Sequence, residues 1–238
     1  MKEEFDVLNP NKAVSAAVFK YCRDRSVPLP DHISRHAAIT ERELGEDSEM
    51  MVSRLQAQYL LWTVRSLKAK KILEIGCFTG FSALAFAESL KDVEGAKIIT
   101  LDINPETAKI ARKAFKDAGV DHIVSLIVGP AKETLAGLVD EGPFDLVFLD
   151  ADKEGYVGYY GIIMELGLLR KDGILIADNV LKRSLVVDAS EANPHSSDKN
   201  ACSRVPHLQE FNDLMATDKR VETFLLPVFD GLSLVRVL

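Results

Sequence analysis

The sequence predicts an α/β fold built on a mostly parallel sheet, and three features predict it. The stretch Lys71-Ile72-Leu73-Glu74-Ile75-Gly76-Cys77-Phe78-Thr79-Gly80-Phe81-Ser82 reads as a buried strand, a glycine turn and the start of a helix. From Lys71 onward, short apolar runs alternate with helical patterns, as in a sheet whose parallel strands are joined by helices. Two last apolar runs, 221–226 and 232–237, flank the turn signal Asp230-Gly231 and predict a terminal antiparallel hairpin.

In chain order, apolar positions Ala13, Ala16, Ala17 and Tyr21 suggest a helix over 12–25, which Pro28 and Pro30 end. Helical patterns follow over 33–44 and 53–67, and these three helices are expected to pack on the sheet, cap a ligand or meet a second subunit. His32 and His36 have helical i, i+4 spacing but no third ligand nearby, so exposed histidines are expected. After the strand at 72–75, an amphipathic helix is predicted over 81–90. Strands are then expected at 98–101, 123–128, 144–149 and 174–177. Helices are expected at 105–118, from 131 to about 139, and over 155–169. The polar segment 183–204 reads as a surface loop or lid, followed by a helix from Pro206 to Met215.

With 238 residues, 47% hydrophobic and 27% charged, no internal repeat and no low-complexity tract, one domain spanning 1–238 is the simplest division, with 1–67 as its helical N-terminal part. A net charge of −7 excludes the electrostatic footprint of a protein that binds nucleic acid or an anionic membrane. The acidic start lacks the apolar core of a signal peptide, and no apolar stretch is long enough to span a bilayer. Cys22, Cys77 and Cys202 are widely spread without metal or disulfide spacing, as expected of reduced thiols in the cytoplasm.

The glycine loop has the spacing Glu-x-Gly-x-x-x-Gly, which differs from the Gly-x-Gly-x-x-Gly of dinucleotide sites. Glu74 beside the loop would repel a pyrophosphate. It suits the cationic ammonium and sulfonium of S-adenosylmethionine, whose carboxylate the following helix N-terminus and Ser82 can take. The competing reading is a strand acid satisfied by backbone amides. Cys77 in the loop is read as a small apolar residue in a tight turn, with a nucleophile as the alternative. Asp102 ends the second strand, where an acid accepts from ribose hydroxyls; a helix cap is the alternative, although Asn104 is better placed for that. The fourth strand ends in Asp150-Ala151-Asp152-Lys153 and the fifth in Asp178-Asn179. Parallel strands share their carboxyl edge, so these groups form a hard oxygen cluster suited to Mg²⁺, or else a set of helix caps and turns.

Taken in series, Glu74-Ile75-Gly76-Cys77-Phe78-Thr79-Gly80, Gly129-Pro130-Ala131, Asp150-Ala151-Asp152-Lys153, Asp178-Asn179-Val180-Leu181 and Leu226-Pro227-Val228-Phe229-Asp230-Gly231 resemble the cation-dependent O-methyltransferases, the family of caffeoyl-CoA and catechol O-methyltransferases. The resemblance runs from about Met50 to the end. It implies a seven-stranded Rossmann-like methyltransferase sheet in which the hairpin supplies the one antiparallel strand. It also implies cofactor contacts at Val52, Glu74, Gly76, Cys77, Ser82, Asp102, Ala131 and Asp152, and metal ligands at Asp150, Asp178 and Asn179. Lys153 matches the lysine proposed as general base. A homodimer is expected from the same family.

The activity so implied is methyl transfer from S-adenosylmethionine to a hydroxyl of a catechol-like aromatic acceptor, with the cation making that hydroxyl nucleophilic near neutral pH and Lys153, in its neutral form, taking the proton. A solvated lysine opening a helix is the alternative reading of Lys153. Two departures stand out. Val52 replaces a residue that often bears a hydroxyl in plant members, and Lys182-Arg183 stand where plant members carry Trp-Asn. Tyr21-Cys22-Arg23 with Val27-Pro28-Leu29-Pro30 is similar to fungal and other non-plant relatives. Two other functions compete: an NAD-linked dehydrogenase, opposed by Glu74 and the missing third glycine, and a binding protein without turnover, opposed by the presence of Asp150, Asp178, Asn179 and Lys153.

Overall fold

The computed structural model describes residues 11–238. The acidic start read as lacking a leader lies outside them. Three helices come first, α1 (Lys12–Arg25), α2 (Asp31–Leu44) and α3 (Arg54–Leu67). Then strands and helices alternate: β1 (Lys71–Ile75), α4 (Phe81–Leu90), β2 (Lys97–Asp102), α5 (Pro105–Asp117), β3 (Val124–Val128), α6 (Ala131–Ala136), β4 (Phe144–Leu149), α7 (Tyr156–Glu165) and β5 (Leu169–Asp178). A last helix, α8 (Lys199–Thr217), precedes β6 (Val221–Leu226) and β7 (Leu232–Val237).

The seven strands form one sheet in the order β3-β2-β1-β4-β5-β7-β6. The pairs among β1 to β5 are parallel, and β7 runs antiparallel to both β5 and β6. The expected architecture is therefore found, hairpin included. Alternation along each strand feeds two cores. Ile72, Ile98, Leu146, Phe148 and Ile176 pack with α2 to α5 on one face. Leu73, Ile75, Leu101, Val147, Leu149 and Leu175 pack with α6 to α8 on the other. Among the described residues, no helix is long and apolar enough to cross a membrane.

Four local expectations give way. The helix over 81–90 is not amphipathic: eight of its ten residues are buried, because α3 covers the side turned away from the sheet. The helix predicted over 155–169 ends at Glu165, where Gly167 takes a left-handed φ of 62° and frees Leu169 to begin β5. The helix after Pro130 stops at Ala136, capped by Gly137. The loop over 183–204 is shorter than read, since α8 starts at Lys199: Asp198 accepts from the Ala201 amide at 3.0 Å, and Pro206 sits inside the helix. Leu185, Ala201 and Val205 form a small apolar cluster that holds the early turns in place.

Candidate active site

The carboxyl ends of the parallel strands open onto a cavity of about 780 Å³. Its floor begins at the glycine loop after β1. Gly76 has a φ of 103°, and a Cβ there would sit 2.1 Å from the Asp150 carbonyl oxygen. The glycine is needed because the loop abuts the end of β4, a tighter reason than ligand approach alone. Asp102 ties down the same loop: its Oδ2 accepts from the Cys77 and Phe78 amides at 3.0 and 2.6 Å, and its Oδ1 from the Asn104 amide at 2.8 Å. Asn104, as expected, caps α5 through a bond from the Glu106 amide.

The loop is braced from behind by α2. His36 Nε2 lies 2.8 Å from the Thr79 carbonyl, so that nitrogen carries the proton and donates. Thr40 Oγ1 donates to Thr79 Oγ1 at 3.0 Å. His36 is 6% exposed, which corrects the expectation of an exposed histidine; the helix turns it inward against a loop 43 residues away. Burial lowers its pKa below the ordinary histidine value.

Glu74 is fully buried on the α4 side of β1. Thr100 Oγ1 donates to its Oε2, while Oε1 has no hydrogen-bond partner among the described residues. Burial pushes the carboxyl up to about 8, against the opposing pull of Ser82 and Thr100. Cys77 is buried too, and burial with the nearby Glu74 raises its thiol well above the ordinary value, so it stays protonated and is no nucleophile.

The ends of β4 and β5 bring the next group together. Asp178 is 2% exposed; Gln56 Nε2 donates to its Oδ2 at 2.7 Å and the Asn179 amide to its Oδ1 at 2.8 Å. Burial, then the charge of Asp150, raises the Asp178 pKa. Lys153, 6% exposed, donates to Asp150 Oδ1 at 3.0 Å and to the Tyr156 hydroxyl at 2.5 Å. It is thus not a solvated lysine. The Tyr156 hydroxyl in turn shares its single proton between the carbonyl oxygens of Leu149 and Asp178, and Tyr159 donates to Asp152 Oδ1 at 2.5 Å.

The far rim is basic. Asn179, Lys182, Arg183 and Ser184 all have left-handed φ values, 43° to 62°, a conformation that costs non-glycine residues energy and clusters at functional sites. The turn is stapled to the β6–β7 connection: the Val180 and Leu181 amides donate to the Gly231 and Asp230 carbonyls at 3.1 and 3.0 Å, and the Arg183 amide to Asp230 Oδ1. Burial lowers the Lys182 pKa, with further lowering from Lys153 and Arg204.

Of the residues singled out from sequence, Val52, Gly76, Cys77, Ser82, Asp102, Asp150, Asp152, Lys153, Asp178 and Asn179 all line this one cavity. Glu74 and Ala131 do not; Glu74 lies within the sheet and Ala131 opens α6 beyond the end of β3. Gln56, Tyr156 and Tyr159 escaped the sequence reading, because a helical glutamine and two apolar-stretch tyrosines carry no motif. A Gln at a core-facing helix position, polar where its neighbours Ala57 and Leu60 are apolar, was the available signal.

Comparison with known proteins gives a consistent picture. A family model described as O-methyltransferase matches residues 24–238. An O-methyltransferase of Aspergillus thermomutatus, ankF, is 35% identical over 94% of this chain and 93% of its own. A probable caffeoyl-CoA O-methyltransferase of Dictyostelium discoideum is 35% identical over 92% of this chain and 90% of its own. The SAH-bound crystal structure of the Podospora anserina methyltransferase PaMTH1 is similar at a TM-score of 0.90, with 39% identity over 98% of both chains.

Proposed function

Given that this chain belongs to the O-methyltransferase family, we propose that it methylates one hydroxyl of a vicinal dihydroxy aromatic acceptor, with S-adenosylmethionine as donor and a divalent cation at Asp150, Asp178 and Asn179. The observation that carries the reading is the pairing of Asp150 with a buried Asp178 whose carboxyl is raised by burial and by its neighbour's charge. Lys153 pairs with Asp150 at 3.0 Å and acts on Asp178 only from farther off, so the two carboxyl groups share one buried amine, an imbalance that a hard cation would offset. Among the described residues no three His, Cys, Asp or Glu side chains form a metal site, so a cation would draw also on the Asn179 amide oxygen and on water or acceptor oxygens. When bound, Mg²⁺ or a similar ion lowers the pKa of a phenolic hydroxyl.

The chain's own residues do the rest. Gly76, Cys77, Ser82 and Asp102, on the β1 and β2 side of the cavity, are suited to hold the donor, and Asp152, which lines the same cavity after β4, is taken as a further donor contact. Lys153 Nζ, held by Asp150 and Tyr156, is placed to receive the phenolic proton when neutral. The acceptor oxygen then bonds to the methyl carbon as the carbon–sulfur bond breaks and S-adenosylhomocysteine leaves. Positioning of the two reactants supplies most of the rate. A methyl-transfer assay on a simple catechol, run with EDTA and then with Mg²⁺ restored, tests this: loss and recovery of turnover is expected, and chelator-insensitive turnover rejects the metal role. A homodimer, expected from the family resemblance, and a cytoplasmic location, expected from the free thiols, complete the proposal; sedimentation at equilibrium checks the first.

A further inference from the structure

We propose that Lys182 and Arg204 form an anion subsite that selects acceptors bearing a carboxylate; the proposal rests on the catechol-acceptor reading above and names the substrate class of the same cavity. Both side chains line the cavity, one from the left-handed turn after β5 and one from α8. The sheet order separates this rim from the donor side. The groups suited to the donor sit at the ends of β1 and β2, the oxygen cluster at β4 and β5, and Lys182 lies beyond them beside the β6–β7 connection. An anion at Lys182 is therefore carried by the acceptor.

The charges of this rim are unevenly matched. Arg183 is engaged by Asp198 at 3.2 Å and approaches Glu49 at 4.0 Å. Among the described residues Arg204 has only Glu154, at 3.9 Å. Lys182 has no carboxylate within 4.0 Å among the described residues. Asp230 attracts it from a greater distance, while Lys153, Arg183 and Arg204 all repel it. A half-buried ammonium with the Arg183 and Arg204 guanidiniums nearby, and no carboxylate within 4.0 Å among the described residues, is unfavourable alone and favourable beside an anion. Its backbone is fixed as well: the Lys182 amide donates to the Asn179 carbonyl at 3.2 Å, and the residues on either side are tied to Asp230. The ammonium is thus presented from a rigid turn, next to the residue proposed to complete the metal site.

The test compares a dihydroxybenzoic acid with its methyl ester, which keeps the catechol and removes the charge. At saturating S-adenosylmethionine the acid is expected to exceed the ester in kcat/KM by roughly tenfold or more. In Lys182→Gln that ratio should fall toward one, and Lys182→Arg should restore part of it. Equal efficiencies in the parent protein, an ester or CoA thioester that outperforms the acid, or an unchanged ratio in Lys182→Gln would each overturn the subsite. Lost binding of S-adenosylhomocysteine in Lys182→Gln, read by calorimetry, would assign the lysine to the donor and overturn it too. If neither acid nor ester is methylated, the catechol-acceptor reading fails along with it.

Discussion

Gln56 reaches 122 residues along the chain to donate to Asp178 Oδ2, and that bond leaves the other carboxylate oxygen to the Asn179 amide and the cavity. Hydrogen bonds of this kind aim a ligating carboxylate. Gln56→Leu is expected to weaken divalent-ion affinity or turnover by about 10- to 100-fold, measured by Mg²⁺ titration of activity alongside a thermal melt. Glu74 offers a second test at a single residue. Its carboxyl titrates near 8 in the folded chain, against an ordinary value of 4.5, so the folded state holds a proton that the unfolded chain releases between those values. Stability contributed by this group therefore falls as pH rises from about 4.5 to 8, and is flat outside that window. Glu74→Gln should match the parent in urea midpoint at pH 5 and exceed it at pH 8; parity at both would mean that Glu74 ionises freely in the fold.

At the scale of elements, α2 holds the glycine loop through His36 and Thr40, two contacts to one residue, Thr79. Removing the imidazole takes away the one tie to the Thr79 carbonyl and leaves the loop to Thr40, to Asp102 and to the backbone bonds of the Gly76, Cys77 and Gly80 amides. His36→Ala is expected to raise KM for S-adenosylmethionine several-fold while moving KM for the acceptor little. Burial lowers the His36 pKa, so the unfolded chain takes up a proton first on acidification, and the stability it lends is lost as pH falls through about 6.5. Lower protection of the amides in α2 and in residues 77–80 below that pH, relative to their intrinsic exchange rates, is the measurement. Element types were legible where apolar periodicity was strong, as in β1, β4 and the β6–β7 hairpin. Boundaries failed where capping decided them. Asp198 caps α8, which starts at Lys199, seven residues before the Pro206 at which the pattern placed it, and no periodicity marks the site of a cap.

The whole molecule is one sheet with a core on each face, and both cores share the strands β1, β2, β4 and β5. Two of the N-terminal helices, α2 and α3, belong to the first core: Ile33 and Ala37 of α2 and Leu60, Leu61 and Val64 of α3 are buried with Phe81 and Phe86 of α4. They should not unfold ahead of the sheet. Trp62, the single tryptophan, lies on the exposed side of α3 and reports that helix. Its fluorescence midpoint in urea is expected to coincide with the far-ultraviolet circular dichroism midpoint; an earlier fluorescence transition would divide the chain into two units.

By itself the sequence determined the α/β architecture, the glycine loop and the set of acids at the strand ends, because strand alternation and a shared carboxyl edge follow from local pattern alone. Only the tertiary structure decided which of those groups meet. That Gln56 and Asp178 touch, that His36 turns inward, that Lys153 is buried and that Glu74 and Ala131 stand off the cavity wall all depend on how distant elements pack. Contacts between segments separated by tens of residues are set by the closing of the cores, and no short window of sequence carries them.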